Sequence, residues 1–319
     1  HARVIPKWRS MNYRPRRLLP QPQRKTGEKI MAELIRCISE NGGVLVTALD
    51  STEIVERMFC IHHTSPVCSA ALGRLLTGAC LMAANLKSAK DSLTLRIKAD
   101  GPARSLIAVA NGRGDVKGCI GDPDVELPLR ADGKLNVGAA VGRDGTLTVI
   151  KDMGLKEPYV GQVPLTSGEI AEDITSYYAA SEQIPTVCAL GVLVDVDRHI
   201  RRAGGYLLQL LPGASEAEID RLEKNVAAMK SVTALLEEGK SAQDIAMLAM
   251  DGFSPNVLDS QPAQYRCDCS RDRMERALMS LGRKELTALQ QEKDELELGC
   301  QFCGKNYTFR ASQILKLLQ

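Results

Sequence analysis

The sequence predicts an α+β protein: an N-terminal core domain of mostly antiparallel sheet with helices, a helical linker, and a small C-terminal zinc-binding domain. Three observations predict it. Short alternating apolar runs punctuated by Gly, Asn and Asp fill residues 31–213. A sheet-free amphipathic pattern follows over 214–260, and four of the ten cysteines cluster within 261–319. At 319 residues the chain exceeds one typical domain. Its 44% hydrophobic content supports a core, which the 4% aromatic content leaves to Leu, Val, Ile, Ala and Met.

Residues 1–30 stand apart as a disordered basic tail, transit-like or upstream sequence. Arg3, Lys7, Arg9, Arg14, Arg16, Arg17, Arg24 and Lys25 occur there with no acid before residue 27, and Pro6, Pro15, Pro20 and Pro22 break any helix. Met31 is a candidate start. Residues 31–40 read as a short helix stopped at Asn41-Gly42-Gly43, and 44–49 as a strand. Residues 68–87 read as a helix with Leu72, Leu75, Leu76, Ala79, Met82 and Leu86 on one face. Leu93, Leu95 and Ile97 alternate as a strand should. Asn111-Gly112 predicts one hairpin, and Asp144-Gly145 another between strands at 137–141 and 147–150. Residues 159–165 make a strand and 169–183 a helix. Residues 187–196 and 206–211 read as adjacent strands around Gly204-Gly205.

Pro212-Gly213 marks a boundary. Beyond it, Ser215 and Glu218 form a capping box, and Ile219, Leu222, Val226, Met229 and Leu236 recur at helical spacing. A second helix after Ser241 places Ile245, Leu248 and Ala249 on one face. Two such helices without a sheet must dock on a neighbour, so the stripe is core-facing at rest and releasable in the sharper reading. Pro255 and Pro262 bracket a linker. Helices near 271–281 and 284–291 and a strand at 307–309 then make a unit too small to fold securely without a staple.

The staple is in the spacing Cys267-Asp268-Cys269, thirty residues, Cys300-Gln301-Phe302-Cys303. A C-x-x-C followed by Gly304 and Lys305 is knuckle-like, and no His follows His199, so four thiolates form the ligand set. That set suits one zinc ion, with an iron–sulfur cluster the lesser option. A purely structural staple remains open beside an oxidant-sensitive switch. Either pair can also close on itself as a disulfide, and Arg266, Arg271, Arg273 and Lys305 would favour thiolates. Cys37, Cys60, Cys68, Cys80, Cys119 and Cys188 are scattered and read as reduced, small hydrophobes. They point to a reducing compartment, hence a cytoplasmic location.

Other motifs carry no chemistry. Residues 234–241 match a relaxed phosphate-loop pattern but end an amphipathic helix and hold Glu237 and Glu238, so no ATP site is expected. His62-His63 reads as a solvated loop, and Asp122 and Asp124 as a turn. No enzyme active site is found. A net charge of +2 and the lack of an uninterrupted apolar stretch of membrane-spanning length argue against nucleic-acid and membrane partners. A zinc-ribbon nucleic-acid binder stays as the alternative. It is disfavoured by ten Lys/Arg against eight Asp/Glu over 263–319, with Asp294, Glu295 and Glu297 just before Cys300.

With the cysteine cluster stand Ala70-Ala-Leu-Gly-Arg74, Gly145-Thr-Leu-Thr-Val149, Lys151-Asp-Met-Gly-Leu155, Ser181-Glu-Gln-Ile-Pro185 and the run from Gly204 to Gly213. In this order they resemble the 33 kDa chaperonin family of redox-regulated heat-shock chaperones over about 31–319. The resemblance implies an ATP-independent holdase, inactive while reduced and zinc-loaded. It implies activation by oxidation to Cys267–Cys269 and Cys300–Cys303 disulfides, zinc release and loosening of the linker. Unfolding client proteins would then meet the surface around Ile219, Leu222, Val226 and Met229. A homodimer when oxidised is a further implication.

Overall fold

The computed structural model describes residues 31–292 and 295–317; the basic tail over 1–30 and Asp294 lie outside the described residues. The first element corrects the sequence reading: β1 (Ala32–Ile38) is a strand, not a helix. Met31, Ala32, Glu33 and Leu34 favour a helix by at most about 0.7 kcal/mol per residue. Two backbone ladders and full burial of Leu34 and Cys37 outweigh that preference. A tight turn with Gly42 at φ +73° leads to β2 (Val44–Asp50).

Helix α1 (Thr52–His62) has no counterpart in the sequence reading. Helix α2 (Pro66–Ala83) starts where Ser65 accepts a hydrogen bond from Cys68 N, with Pro66 in the first turn. It is buried on all sides rather than on one face. A Cβ on Gly73 would lie 2.6 Å from Val55 Cγ1, so glycine is what lets α1 and α2 close. By length and composition α2 would pass as a membrane span, but 89% of it is buried within this fold.

Strands β3 (Ser92–Ala99), β4 (Ser105–Asn111) and β5 (Asp115–Ile120) form the expected meander with its turn at Gly112. Val137–Val141 is a short helix, α3, because Asn136 caps it by accepting from Ala139 N at 3.3 Å. Asp144-Gly145 is therefore no hairpin; it opens β6 (Gly145–Asp152), which pairs with β3 and with β7 (Tyr159–Pro164). Helix α4 (Ala171–Tyr177) ends in a π-turn before β8 (Thr186–Val194) and β9 (Ile200–Leu210). These two strands do pair, but Gly204-Gly205 lies inside β9, not at the turn. A Cβ at Gly205 would sit 2.6 Å from Ala189 O on β8, so this glycine serves close strand contact.

The linker segment holds three helices rather than two: α5 (Glu216–Ala228), α6 (Val232–Glu237) and α7 (Ala242–Ala249). Leu248 is 40% exposed, off the buried face that Ile245 and Ala249 share. The supposed proline-bracketed linker is a strand, β10 (Asn256–Tyr265), running across residues 260 and 261. It inserts into one ten-stranded sheet of order β7-β6-β3-β4-β5-β10-β1-β2-β9-β8, antiparallel throughout except for β10 on β5.

Helices α1 and α2 cover one face, burying Leu34, Leu49, Met58, Leu72, Leu76 and Leu95 together. On the other face, α5–α7 cover β1, β2 and β9, with Val232, Leu235, Leu236 and Ile245 against Ile35, Val46 and Leu208. The C-terminal elements are α8 (Arg271–Met279), α9 (Gly282–Glu292), β11 (Glu295–Gly299), β12 (Asn306–Arg310) and α10 (Ala311–Leu317). They share only a small cluster of Leu278, Leu286, Tyr307, Phe309 and Ile314.

Candidate metal centre

Strand β10 delivers the first two sulfurs. Its last ladder bond runs from Arg266 N to Val116 O at 2.8 Å. The chain then leaves the sheet through Cys267-Asp268-Cys269 and enters α8, capped by Ser270 accepting from Arg273 N at 3.3 Å. In a continued strand the two cysteines would point to opposite faces; leaving the ladder lets them converge. The β11–β12 hairpin delivers the other two. Cys300 N donates to Lys305 O at 2.9 Å and Gly304 N to Cys300 O at 2.8 Å, with Gly304 at φ +71° closing the turn.

The four Sγ atoms of Cys267, Cys269, Cys300 and Cys303 lie within 4.8 Å of one another. Across the two arms, Cys267 and Cys300 are 3.7 Å apart and Cys269 and Cys303 3.4 Å. A tetrahedral site with zinc–sulfur bonds of about 2.3 Å has sulfur–sulfur edges of about 3.8 Å. The donor set thus fits a single zinc ion in chemistry and in size.

Burial raises the Cys267 and Cys303 thiols, with Cys300 adding to both. Cys269 goes the other way. Burial opposes its ionisation, but hydrogen bonds from the Tyr307 hydroxyl and the neighbouring cysteines hold it below the usual thiol value. Tyr307 Oη lies 3.2 Å from Cys269 Sγ. The cations expected to favour thiolates are engaged elsewhere. Arg273 pairs with Asp268, Arg271 stacks 4.4 Å over Phe309, Lys305 lies 5.1 Å over Tyr307, and Arg266 reaches Asp115 at 3.9 Å.

The centre rests on β5. Lys117 pairs with Asp268, inside the C-x-C, and its Nζ lies 5.2 Å over the Phe302 ring, inside the C-x-x-C. Burial alone would raise Asp268; its pairs with Lys117 and Arg273 bring it down to about 2. The Tyr265 hydroxyl bonds Gly118 O at 2.9 Å and also Phe302 O. His62 joins at Gly118 O, 3.0 Å away, so it is a packed end of α1 and not a solvated loop residue. Tyr307, Lys117 and Tyr265 had no signal in the sequence, since only the fold brings them to the cysteines.

The six scattered cysteines are in no disulfide. Burial pushes Cys80 and Cys188 up to about 12, and Cys119 up to about 11 with Cys300 adding. The linker stripe is docked: Leu222 is 4% exposed, Val226 and Met229 pack against the sheet cluster, and Ile219 is half-buried. Polar ties hold α5 to the end of α7, with Arg221 donating to Gly252 O at 2.7 Å and Asn225 to Asp251 O at 2.9 Å. Residues 234–241 offer no phosphate cradle: Gly239 ends α6 at φ +82° and Ser241 caps α7.

The sequence profile of the Hsp33 protein family matches residues 32–310. The chain is 48% identical over 288 residues to the 33 kDa chaperonin of Clostridium perfringens, covering 90% of each. It is 44% identical over 286 residues to that of Clostridioides difficile, covering 90% of this chain and 98% of that one. The fold matches a crystal structure of the 33 kDa chaperonin (heat shock protein 33 homolog) from Thermotoga maritima. There the TM-score is 0.82 and the identity 34%, over 90% of this chain and 97% of that one. With a family profile spanning the sheet and the cysteine centre alike, this chain belongs to the Hsp33 family of heat-shock chaperones.

Proposed function

We propose that this heat-shock chaperone is an ATP-independent holdase gated by its four cysteines. The observation that carries the reading is the closed set of four sulfurs, within 4.8 Å of one another, at the end of strand β10. A bound zinc ion would supply a four-way cross-link between two arms that share few buried side chains. Peroxide takes two electrons and two protons from each pair of thiols and leaves as water, and the resulting disulfides can no longer serve as thiolate ligands. Family resemblance assigns the pairs as Cys267–Cys269 and Cys300–Cys303. Each of these disulfides joins two sulfurs on one arm, so neither bridges the arms once it has formed. The C-terminal unit then unfolds, and the α5 stripe of Ile219, Leu222, Val226 and Met229, with the sheet face beneath it, is freed for unfolding client proteins.

The family is a chaperonin family, not an enzyme family; on this reading the chain turns over no substrate and needs no nucleotide. It works in a reducing compartment such as the cytoplasm, and its oxidised form can pair as a homodimer. The test is suppression of aggregation of a chemically unfolded client without ATP, comparing the reduced, zinc-loaded chain with the same chain after peroxide at mild heat. Protection by the oxidised sample alone supports the gate. Equal protection by both leaves a chaperone whose cysteines are only a staple, and protection by neither removes the holdase reading.

A further inference from the structure

Strand β10 joins two half-sheets, β7-β6-β3-β4-β5 on one side and β1-β2-β9-β8 on the other. Its hold is lopsided. Asn256 to Ala263 pair along β1, whereas only Gln264 and Tyr265 pair with β5. Its side chains contribute little: Ala263 is the one buried residue of the strand, and Val257 and Leu258 are 44% and 51% exposed. Apart from its backbone ladder, β10 is fixed to β1 by the Arg36–Asp259 ion pair and to β5 by Tyr265 and by Gln264, whose Nε2 donates to Asp115 Oδ1 at 2.9 Å. Its neighbour is the opposite: Ala32, Leu34, Ile35 and Cys37 of β1 are all buried.

Both ends of β10 are tied to parts that oxidation frees in the proposed gate. Asn256 follows α7 of the linker closely, and Tyr265 is two residues from Cys267. The two half-sheets would stay together without it, because α2 packs across β3, β4 and β5 on one side and β2, β8 and β9 on the other. Loss of β10 therefore bares a strand edge without dissolving the core.

We propose that oxidation withdraws β10 and that the bared edge of β1 takes an extended, apolar segment of an unfolding client as a replacement strand. This rests on the redox-gated reading above and gives it a binding site. The edge offers backbone N–H and C=O groups, which recognise any extended chain whatever its sequence. Its flanks select for apolar side chains on both faces: Leu34 lies in the helix-covered cluster, and Ile35 and Cys37 lie in the cluster beneath the linker. Unfolding proteins expose such segments and folded ones bury them. Strands β7 and β8 are edges of the sheet already in this state, whereas the edge of β1 is covered until β10 leaves.

Hydrogen exchange on the full oxidised chain, with a reduced and carboxymethylated protein as the client, tests this directly. Oxidation should speed exchange in β10 by about 100-fold or more, and in the β1 amides that face it. Client should restore protection to β1 and not to β10. Persistent protection of β10 in the client-holding state overturns the proposal, as does client protection confined to the linker. Joint return of β1 and β10 protection with a doubled mass would mean that a second copy supplies the strand, which also overturns it. In parallel, Arg36→Cys with Asp259→Cys places a cross-link at an observed ladder pair. Peptide mapping identifies the cross-linked fraction, which should lose holding at least about 10-fold relative to Asp259→Cys alone. Equal holding by both rejects the site while leaving the gate intact. An oxidised wild-type chain that holds nothing rejects the gate itself.

Discussion

The sheet domain and the cysteine unit are folded by different means. In the first, α2 is buried from Val67 to Ala83 with few breaks, and the cluster beneath α1 and α2 reaches from β7 to β8. In the second, the apolar cluster among the described residues is five buried side chains shared among three helices and a hairpin. Burying a large apolar side chain contributes about 1.5–3 kcal/mol, and ordering each residue costs about as much. The sheet domain has apolar area enough to fold by itself. The cysteine unit gains a comparable margin only through a cross-link, so its order should depend on the state of four sulfurs, while of the sheet only β10, which leads into the cysteines, should follow them.

The largest break in that comparison comes from removing the cross-link. Structural zinc in small units contributes on the order of 10–16 kcal/mol. Cys300→Ser, or a chelator together with oxidant, should therefore unfold residues 266–317 and loosen β10, while the helix-covered strands on either side of it keep a separate cooperative melting transition. Nuclear magnetic resonance or hydrogen exchange reads both regions at once. A single cooperative collapse of the whole chain would show that the two regions are not separate in stability.

Next in size are matched truncations. Phe309→Ala and Leu72→Ala both delete fully buried side chains and should cost about 3–5 and about 2–5 kcal/mol respectively. The same loss should weaken metal retention and thiol protection in the cysteine unit but only lower the melting point of the sheet domain. Urea titration followed by thiol accessibility separates the two outcomes. A smaller effect belongs to the linker. Leu222 is the one fully buried side chain of α5, and Leu222→Ser should undock that helix, raising apolar dye binding by the reduced chain severalfold. No rise would mean that α6 and α7 hold the linker by themselves.

How much of this was legible in the sequence follows from how local each signal is. The cysteine spacing is local and identified all four sulfurs. The hairpin at Gly112, the capping box at Ser215 and the helix start after Ser241 are local too, and the structure contains them. Strand β10 was hidden because Pro262 reads as a breaker. It is tolerated because its missing N–H costs nothing on a side where the β5 ladder begins only at Gln264. Residues of β1 look helical until two neighbours from distant sequence supply ladders. The support of the metal centre by Lys117, Tyr265 and Tyr307 depends on contacts across as many as 151 positions, such as Lys117 to Asp268, which no local pattern encodes.

The finest contrast lies between the two kinds of cysteine. Cys80 and Cys188 sit in the sheet domain with thiols pushed up to about 12 by burial, against 9.0 unperturbed. Below pH 9 both states of the chain keep these protons, and the thiols are neutral in their stability effect. As pH rises above 9 the unfolded chain releases its protons first, so the folded state loses stability until the folded thiols ionise near 12. Each such thiol should take away about 1.4 kcal/mol per pH unit across that window. Cys80→Ala should therefore flatten the decline between pH 9 and 11 by about that slope, measured by urea unfolding of the sheet domain. An unchanged slope would mean that the Cys80 thiol ionises as readily folded as unfolded, and the division between inert sheet thiols and responsive cluster thiols would then rest on the metal-binding geometry alone.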